Sequence, residues 1–283
     1  MYCFISRFCV SIFVLAVLTA CSNSLVISGG GSNSQVTLPS PNGTVTARQW
    51  EHGETIQVGN YMLENNEWNK SAATGPYAQS VFTETLNGNP CIGWNWNWQG
   101  VPAQTEVAYP EVGYGYSPWM GSWGTSGFTA KQISALTTCN ATFNVNTSFT
   151  GSYCLELEMW ATSTGSSPAS AQITYQIIVY LNSNGLNLTG PGLITGDVID
   201  TVNYNVYTYP DSGTPHYQHV NYVMNSPISY GTLMTLNLLH ILQDAVNRSL
   251  ITGNPYISSI ELGNGVDGGT GLTEILNYSI TYN

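Results

Sequence analysis

Hydrophobic and polar positions alternate through most of the chain, in short runs broken by Gly, Asn and Pro. The clearest run is Tyr153–Trp160, Y-C-L-E-L-E-M-W. Side chains i, i+2 and i+4 of a strand share one face. Cys154, Glu156, Glu158 and Trp160 are therefore expected on one face, and Leu155, Leu157 and Met159 on the core face. Two carboxylates and an indole on a non-core face suit a carbohydrate cleft, although an ordinary sheet surface has the same parity. Similar runs predict strands at Tyr61–Glu67, Ser80–Leu86, Ile92–Trp98, Ala171–Leu181 and Tyr278–Tyr282. Such a series points to an all-β sandwich or jelly roll.

One segment breaks the two-residue period. Leu236, Leu239, Ile241, Leu242, Ala245 and Val246 recur at helical spacing. Thr235 can cap the start, Arg248 suits the last turn and Gly253 follows. The spacing predicts a single helix over about 235–249, packed on the outside of a sheet. Trp94, Trp96 and Trp98 form W-N-W-N-W, so their indoles share a face. Three rings in a row would be hard to pack in a core, where each N–H needs a partner. Lining a cleft, they would stack on sugars; the alternative is that they pack against each other and against Trp50 or Trp68.

Composition narrows the partners. Of 283 residues, 5 are Lys or Arg and 16 are Asp or Glu, a net charge of −11. That charge repels phosphate backbones, so nucleic acid is not an expected partner. Charged residues make up 7% and aromatics 12%, which suits a secreted β-protein that meets a neutral polymer such as polysaccharide. A structural cell-surface sandwich shares this composition. No cofactor is implied, and the chain is expected to be a monomer.

Residues 1–20 read as a targeting segment, with Arg7 as a thin positive region and Val10–Leu18 as an apolar run too short to span a bilayer. Leu18-Thr19-Ala20-Cys21 resembles a bacterial lipobox, in which Cys21 is lipidated and becomes the first mature residue; ordinary cleavage near Ala20 is the alternative. The lipid would then be the only membrane anchor. The expected location is extracytoplasmic, tethered to a bacterial membrane at the outer membrane or cell surface, or secreted. Residues 21–47, rich in Ser, Gly, Asn, Pro and Thr, read as a flexible tether, and 48–283 as the folded domain. Of the six cysteines, Cys91, Cys139 and Cys154 belong to that domain. Cys139 and Cys154 lie at the ends of an expected hairpin and are the candidate disulfide. His216 and His219 point to opposite faces of a strand, so no metal site is expected.

Several segments, in order, resemble the family 12 glycoside hydrolases, small endo-β-1,4-glucanases and xyloglucanases. Tyr61–Trp68 (Y-M-L-E-N-N-E-W) resembles the family's Y-x-V-x-N-N-x-W. Gly93–Gly100 resembles W-x-W-x-G, Val107–Pro110 resembles V-K-S-Y-P, and Glu156–Trp160 resembles E-L-M-I-W. The resemblance runs from about Trp50 to the C-terminus. It implies a concanavalin A-like jelly roll of two antiparallel sheets with one helix, and a β-1,4-glucan as substrate. It also implies a retaining mechanism with paired carboxylates. The nucleophile falls on Glu156. Trp68, Trp96, Trp98 and Trp160 would stack on pyranose rings, and Asn66 would bond a sugar hydroxyl.

The second catalytic carboxylate does not carry over. The family's acid/base Glu falls on Gly265 or Asn264, neither of which can donate a proton. A supporting Asp falls on Thr147-Ser148. Three expectations stay open. Asp267 or Glu261, which share the parity of Gly265, take over as acid. Alternatively Glu156 and Glu158 form the pair, roughly 6.5–7 Å apart at Cα, although both would approach the sugar from one side. In the third, the protein holds glycan without cleaving it.

Overall fold

The structure is a computed structural model and describes residues 26–27, 36–120, 124–211, 213 and 215–283. The expected targeting segment and Cys21, the expected lipidation site, lie outside the described residues. The strands in chain order are β1 (Val26–Ile27), β2 (Val36–Thr37), β3 (Thr44–Gln49), β4 (Thr55–Val58), β5 (Tyr61–Glu64), β6 (Tyr77–Leu86), β7 (Asn89–Trp98), β8 (Glu111–Gly115) and β9 (Lys131–Gln132). They continue with β10 (Cys139–Thr150), β11 (Tyr153–Thr162), β12 (Ile173–Asn184), β13 (Ile194–Ile199), β14 (Val202–Pro210), β15 (Gln218–Met224), β16 (Met234–Asn237), β17 (Tyr256–Val266) and β18 (Gly269–Tyr282). One α-helix, α1 (Leu238–Asn247), is present among the described residues. It is not long and apolar enough to cross a membrane.

Two sheets form the sandwich. One runs β16-β10-β18-β7-β6-β3, and the other β13-β14-β15-β12-β11-β17-β8-β5-β4 with β9 on β17. All pairings are antiparallel except β12 with β15. The expected jelly-roll class holds, with that one parallel pair added. Between the sheets lies one core. Leu155, Leu157 and Met159 of β11 and Ile260, Leu262 and Val266 of β17 meet Trp94, Trp96 and Trp98 of β7 and Phe143 and Val145 of β10.

The three indoles of β7 are therefore core residues, each at most 1% exposed. Trp96 and Trp98 do not line a sugar site. Parity put the rings on one face, and the partners on each side decide which. The alternate Asn95 and Asn97 point outward, where their amides donate to Pro39 O (2.7 Å) and Thr37 O (2.8 Å). Inside, Trp94 Nε1 donates to Asn264 Oδ1 and Trp98 Nε1 to Gln79 Oε1. Trp96 fits because Gly271 faces it: a Cβ there would lie 2.0 Å from the indole.

Those outward amides also hold part of the segment expected as a tether. Residues from Val36 onward are pinned to the six-stranded sheet. Asn42 donates twice to the Glu274 carboxylate, Gly43 N–H donates to Glu84, and β3 pairs with β6. Ser/Gly/Pro composition marked this stretch as unable to build a core of its own, but it needs only partners on an existing sheet: the polar ones above, and Ala78, against which Val36 and Leu38 are buried.

The expected Cys139–Cys154 disulfide is absent; both thiols are free. β10 and β11 are not a hairpin. They lie in different sheets, and the 12-residue β10 separates Cys139 from the crossover by roughly 36 Å. The helix starts later than expected: Thr235 lies in β16, and Asn237 caps α1 by accepting from His240 N–H.

Candidate active site

Strand β11 is buried along its whole length on both faces, although only one face meets the core. Its other face lies at the bottom of a recess on the outer side of the ten-stranded sheet. Cys154, Glu156, Glu158 and Trp160 occupy that side, as the alternation requires. Register then sets their neighbours. Glu156 pairs with Gly263 of β17, which pairs with Glu111 of β8, which pairs with Glu64 of β5. Glu158 pairs with Glu261, and Cys154 with Gly265.

The same register separates Asn264 from Gly265. Asn264 points into the core, accepting from Trp94 and Thr273 and donating to Cys154 O. Gly265 points into the recess. Thr147 sits in the six-stranded sheet and bonds Thr273.

Packing so many carboxylates together makes charge costly. Glu156 is 3% exposed. Burial pushes its pKa up to about 7; the Cys154 thiol, donating to Oε2 at 3.2 Å, works against that, and the charge of Asp267 adds to it. Burial, then the charge of Glu261, pushes Glu158 well above the carboxylate range, and does the same to Glu111. Glu158 accepts from Gln176 Nε2 at 2.5 Å, and Glu261 from Trp160 Nε1 at 3.0 Å. Both are held to neighbours rather than aimed at open space. Asp267 follows β17 with its N–H bonded to Ser152 O, and burial pushes its pKa up to about 6.

A carboxylate that the sequence reading missed completes the recess. Glu106 lies just before Val107–Pro110. The backbone there is locked to β17: Val107 N–H donates to Val266 O, and Val266 N–H to Ala108 O, both at 2.9 Å. Trp68 Nε1 donates to Glu106 Oε1 at 3.0 Å. One oxygen of Glu106, one of Glu156 and the Cys154 sulfur lie within 4.8 Å of one another. This trio is the one group among the described residues with metal-ligand spacing. Its thiol is pushed well above its ordinary pKa by burial and by Glu156, which disfavours the thiolate that a metal takes. Glu106 sits in an irregular loop, where no period points to it. The available signal was a carboxylate directly preceding a segment already matched to the family.

The aromatic residues divide differently from expectation. Trp68 is 56% exposed and stands beside Glu106, free to meet a ligand. Trp160 is only 5% exposed and is covered by edge-to-face contacts with Trp119 and Tyr217. Trp160 is thus the base of a stack whose outer ring, Trp119, is 46% exposed. Asn66 is half-buried, with its amide 3.4 Å from Glu111 Oε1. On the far side of Glu156, Tyr207, Tyr209 and His219 form a further stack. An open cavity of about 930 Å³ beside Tyr175, Tyr217 and Tyr256 does not include the carboxylates.

No family model matches the sequence. Endoglucanase S from Pectobacterium parmentieri is 27% identical over 241 residues, covering 80% of this chain and 84% of that protein. The native family 12 xyloglucanase from Bacillus licheniformis superposes with a TM-score of 0.73 at 22% identity, over 84% of this chain and 100% of the other. The chain has the family 12 glycoside hydrolase fold. A second family 12 structure, Endoglucanase cel12A from Rhodothermus marinus, matches at TM-score 0.66 and 19% identity, over 84% and 99% of the two chains. In this family 12 fold, Glu156 lies on β11 near the middle of the ten-stranded sheet, and Gly265, which pairs with Cys154 two residues before it, has no side chain.

Proposed function

We propose that this protein hydrolyses β-1,4-linked glucan with retention of configuration, with Glu156 as the nucleophile. The observation that carries the reading is Glu156 itself. It lies on the outer face of the ten-stranded sheet in a family 12 fold, with an oxygen within 4.8 Å of one from another carboxylate. Retention needs two carboxyl groups about 5–5.5 Å apart, one to attack and one to exchange the proton. Exposed Trp68 and Trp119 flank the recess as platforms for pyranose rings. The names of its relatives, an endoglucanase and a xyloglucanase, support a glucan backbone.

The test is reducing-end release from barley β-glucan, xyloglucan and carboxymethyl-cellulose by the purified protein and by Glu156→Gln. Release by the first and not the second is expected. The absent side chain at Gly265 favours a second reading, a protein that keeps glycan in the recess without cutting it. Equal inertness of both proteins, with glucan still retarding them in an affinity gel, would establish that instead. We place the protein outside the cytoplasm, held by lipid on Cys21; an unmodified mass for the mature N-terminus would refute the anchor.

A further inference from the structure

We propose that Glu106 is the acid/base of this site, donating from a loop the proton that the family pattern would assign to a side chain at Gly265. The inference rests on the reading of the site as a retaining hydrolase.

Gly265 lacks a carboxyl, and neighbouring side chains occupy the place where one would start. A Cβ built on it would lie 2.6 Å from Cys154 Sγ and 2.7 Å from Glu106 Oε2. The Glu106 carboxyl therefore already fills the space in front of residue 265. Its approach also differs from that of Glu158. Glu158 shares a strand with Glu156 and would reach a sugar from the same side. Glu106 comes from the far side of β17, so β17 lies between the backbones that carry the two acids, while their oxygens remain within 4.8 Å.

The loop is rigid enough for the task. Glu106 O accepts from Asn69 Nδ2 at 2.9 Å, and Asn69 N–H donates to Val107 O. Trp68 holds Oε1, which leaves Oε2 turned toward Gly265. The indole that orients the acid is also exposed as a sugar platform, so a ring stacked on Trp68 would lie beside the proton donor. Protonation follows the geometry. Burial, then the charges of Glu156 and Asp267, hold Glu106 well above the usual carboxylate range against the opposing Trp68 bond. Burial raises Glu156 too, to about 7. A carboxyl raised in the way Glu106 is raised is held in the protonated form that a general acid needs.

The chemistry balances on these two groups and water. A Glu156 oxygen bonds the anomeric carbon, the bond from that carbon to the departing sugar oxygen breaks, and Glu106 gives its proton to that oxygen. The Glu106 carboxylate then takes a proton from water. The water oxygen bonds the anomeric carbon as the ester to Glu156 breaks. Both groups return to their starting states.

The test compares Glu106→Gln, Glu106→Ala and Asp267→Asn on barley β-glucan and on dinitrophenyl β-cellobioside, whose leaving group needs no proton. Glu106→Gln should lose on the order of 10²–10⁴-fold on glucan and far less on the activated substrate, which also shows that the variant is folded. With azide, Glu106→Ala should yield the β-cellobiosyl azide, and Asp267→Asn should not. Glucan hydrolysis by Glu106→Gln within a few-fold of the parent overturns the proposal, as does azide product from Asp267→Asn alone. A parent protein inert on both substrates would instead overturn the hydrolase reading, and the acid role with it.

Discussion

A carboxylate that attacks carbon must be charged, and Glu156 sits where charge is costly. Its one counterweight among the named hydrogen bonds is the Cys154 thiol, two residues back on the same face, at 3.2 Å. Hydrogen bonds to the charged form lower a carboxylate's pKa. Cys154→Ala should raise Glu156 above its value of about 7, so the acid limb of kcat/KM should move to higher pH. Cys154→Ser, which keeps a donor, should leave it nearly in place. A pH–rate profile of the three proteins decides this, and coincident acid limbs would mean that the thiol does not tune the nucleophile. The pair itself was legible in the sequence, because positions two apart on a strand share a face whatever the fold. Glu106 was not legible, because its place depends on a loop clamped to β17 by Val107 and Val266, and spacing carries no trace of that.

Strands carry the next level of specification. β7 and β18 pair so that Gly271 lies directly opposite Trp96. The glycine is there because the indole leans over its strand, leaving 2.0 Å to any Cβ. Gly271→Ala should then cost about 1–3 kcal/mol through overpacking. Trp96→Phe should recover part of that loss, since the smaller ring vacates the contact and removes a buried N–H that has no partner. Denaturant unfolding of the four proteins in a double-mutant cycle reads the coupling, and simple additivity would mean that the contact is not what requires glycine. This element also shows where pattern reading stops. Alternation found the strand and placed the three indoles together. A sandwich has two faces per sheet with the same period, and the outward Asn95 and Asn97, tied to residues 37 and 39, decided between them. The supposed hairpin at Cys139–Cys154 failed for a related reason: consecutive alternating runs look alike whether the chain turns back within one sheet or crosses to the other.

Across the whole molecule, acidic residues outnumber basic ones 16 to 5, and many of the acids are buried rather than spread over the surface. Glu106, Glu111, Glu156, Glu158 and Glu261 all have carboxyls raised chiefly by burial, as do Glu67, up to about 7, and Asp267, up to about 6. In the unfolded chain these groups titrate near 4.5 for Glu and 3.8 for Asp. Between those values and the raised ones, the folded state binds more protons than the unfolded state, so stability falls as pH rises. The stabilising contribution is complete below about pH 4 and is lost upward through pH 6 for Asp267 and pH 7 for Glu67 and Glu156. It continues to fall above that for the others. The expected thermal midpoint is therefore higher near pH 5 than near pH 8, by roughly 2–4 °C for each kcal/mol lost. Glu158→Gln removes one of the raised carboxyls while its side-chain oxygen can still accept from Gln176, so it should flatten the decline. Catalysis requires the opposite trend from Glu156, which attacks only when ionised. Activity should thus rise through the same pH range in which the fold weakens. Calorimetry and kcat/KM measured on one pH series would show the two curves crossing, and a midpoint that climbs from pH 5 to pH 8 would contradict the account of the buried acids.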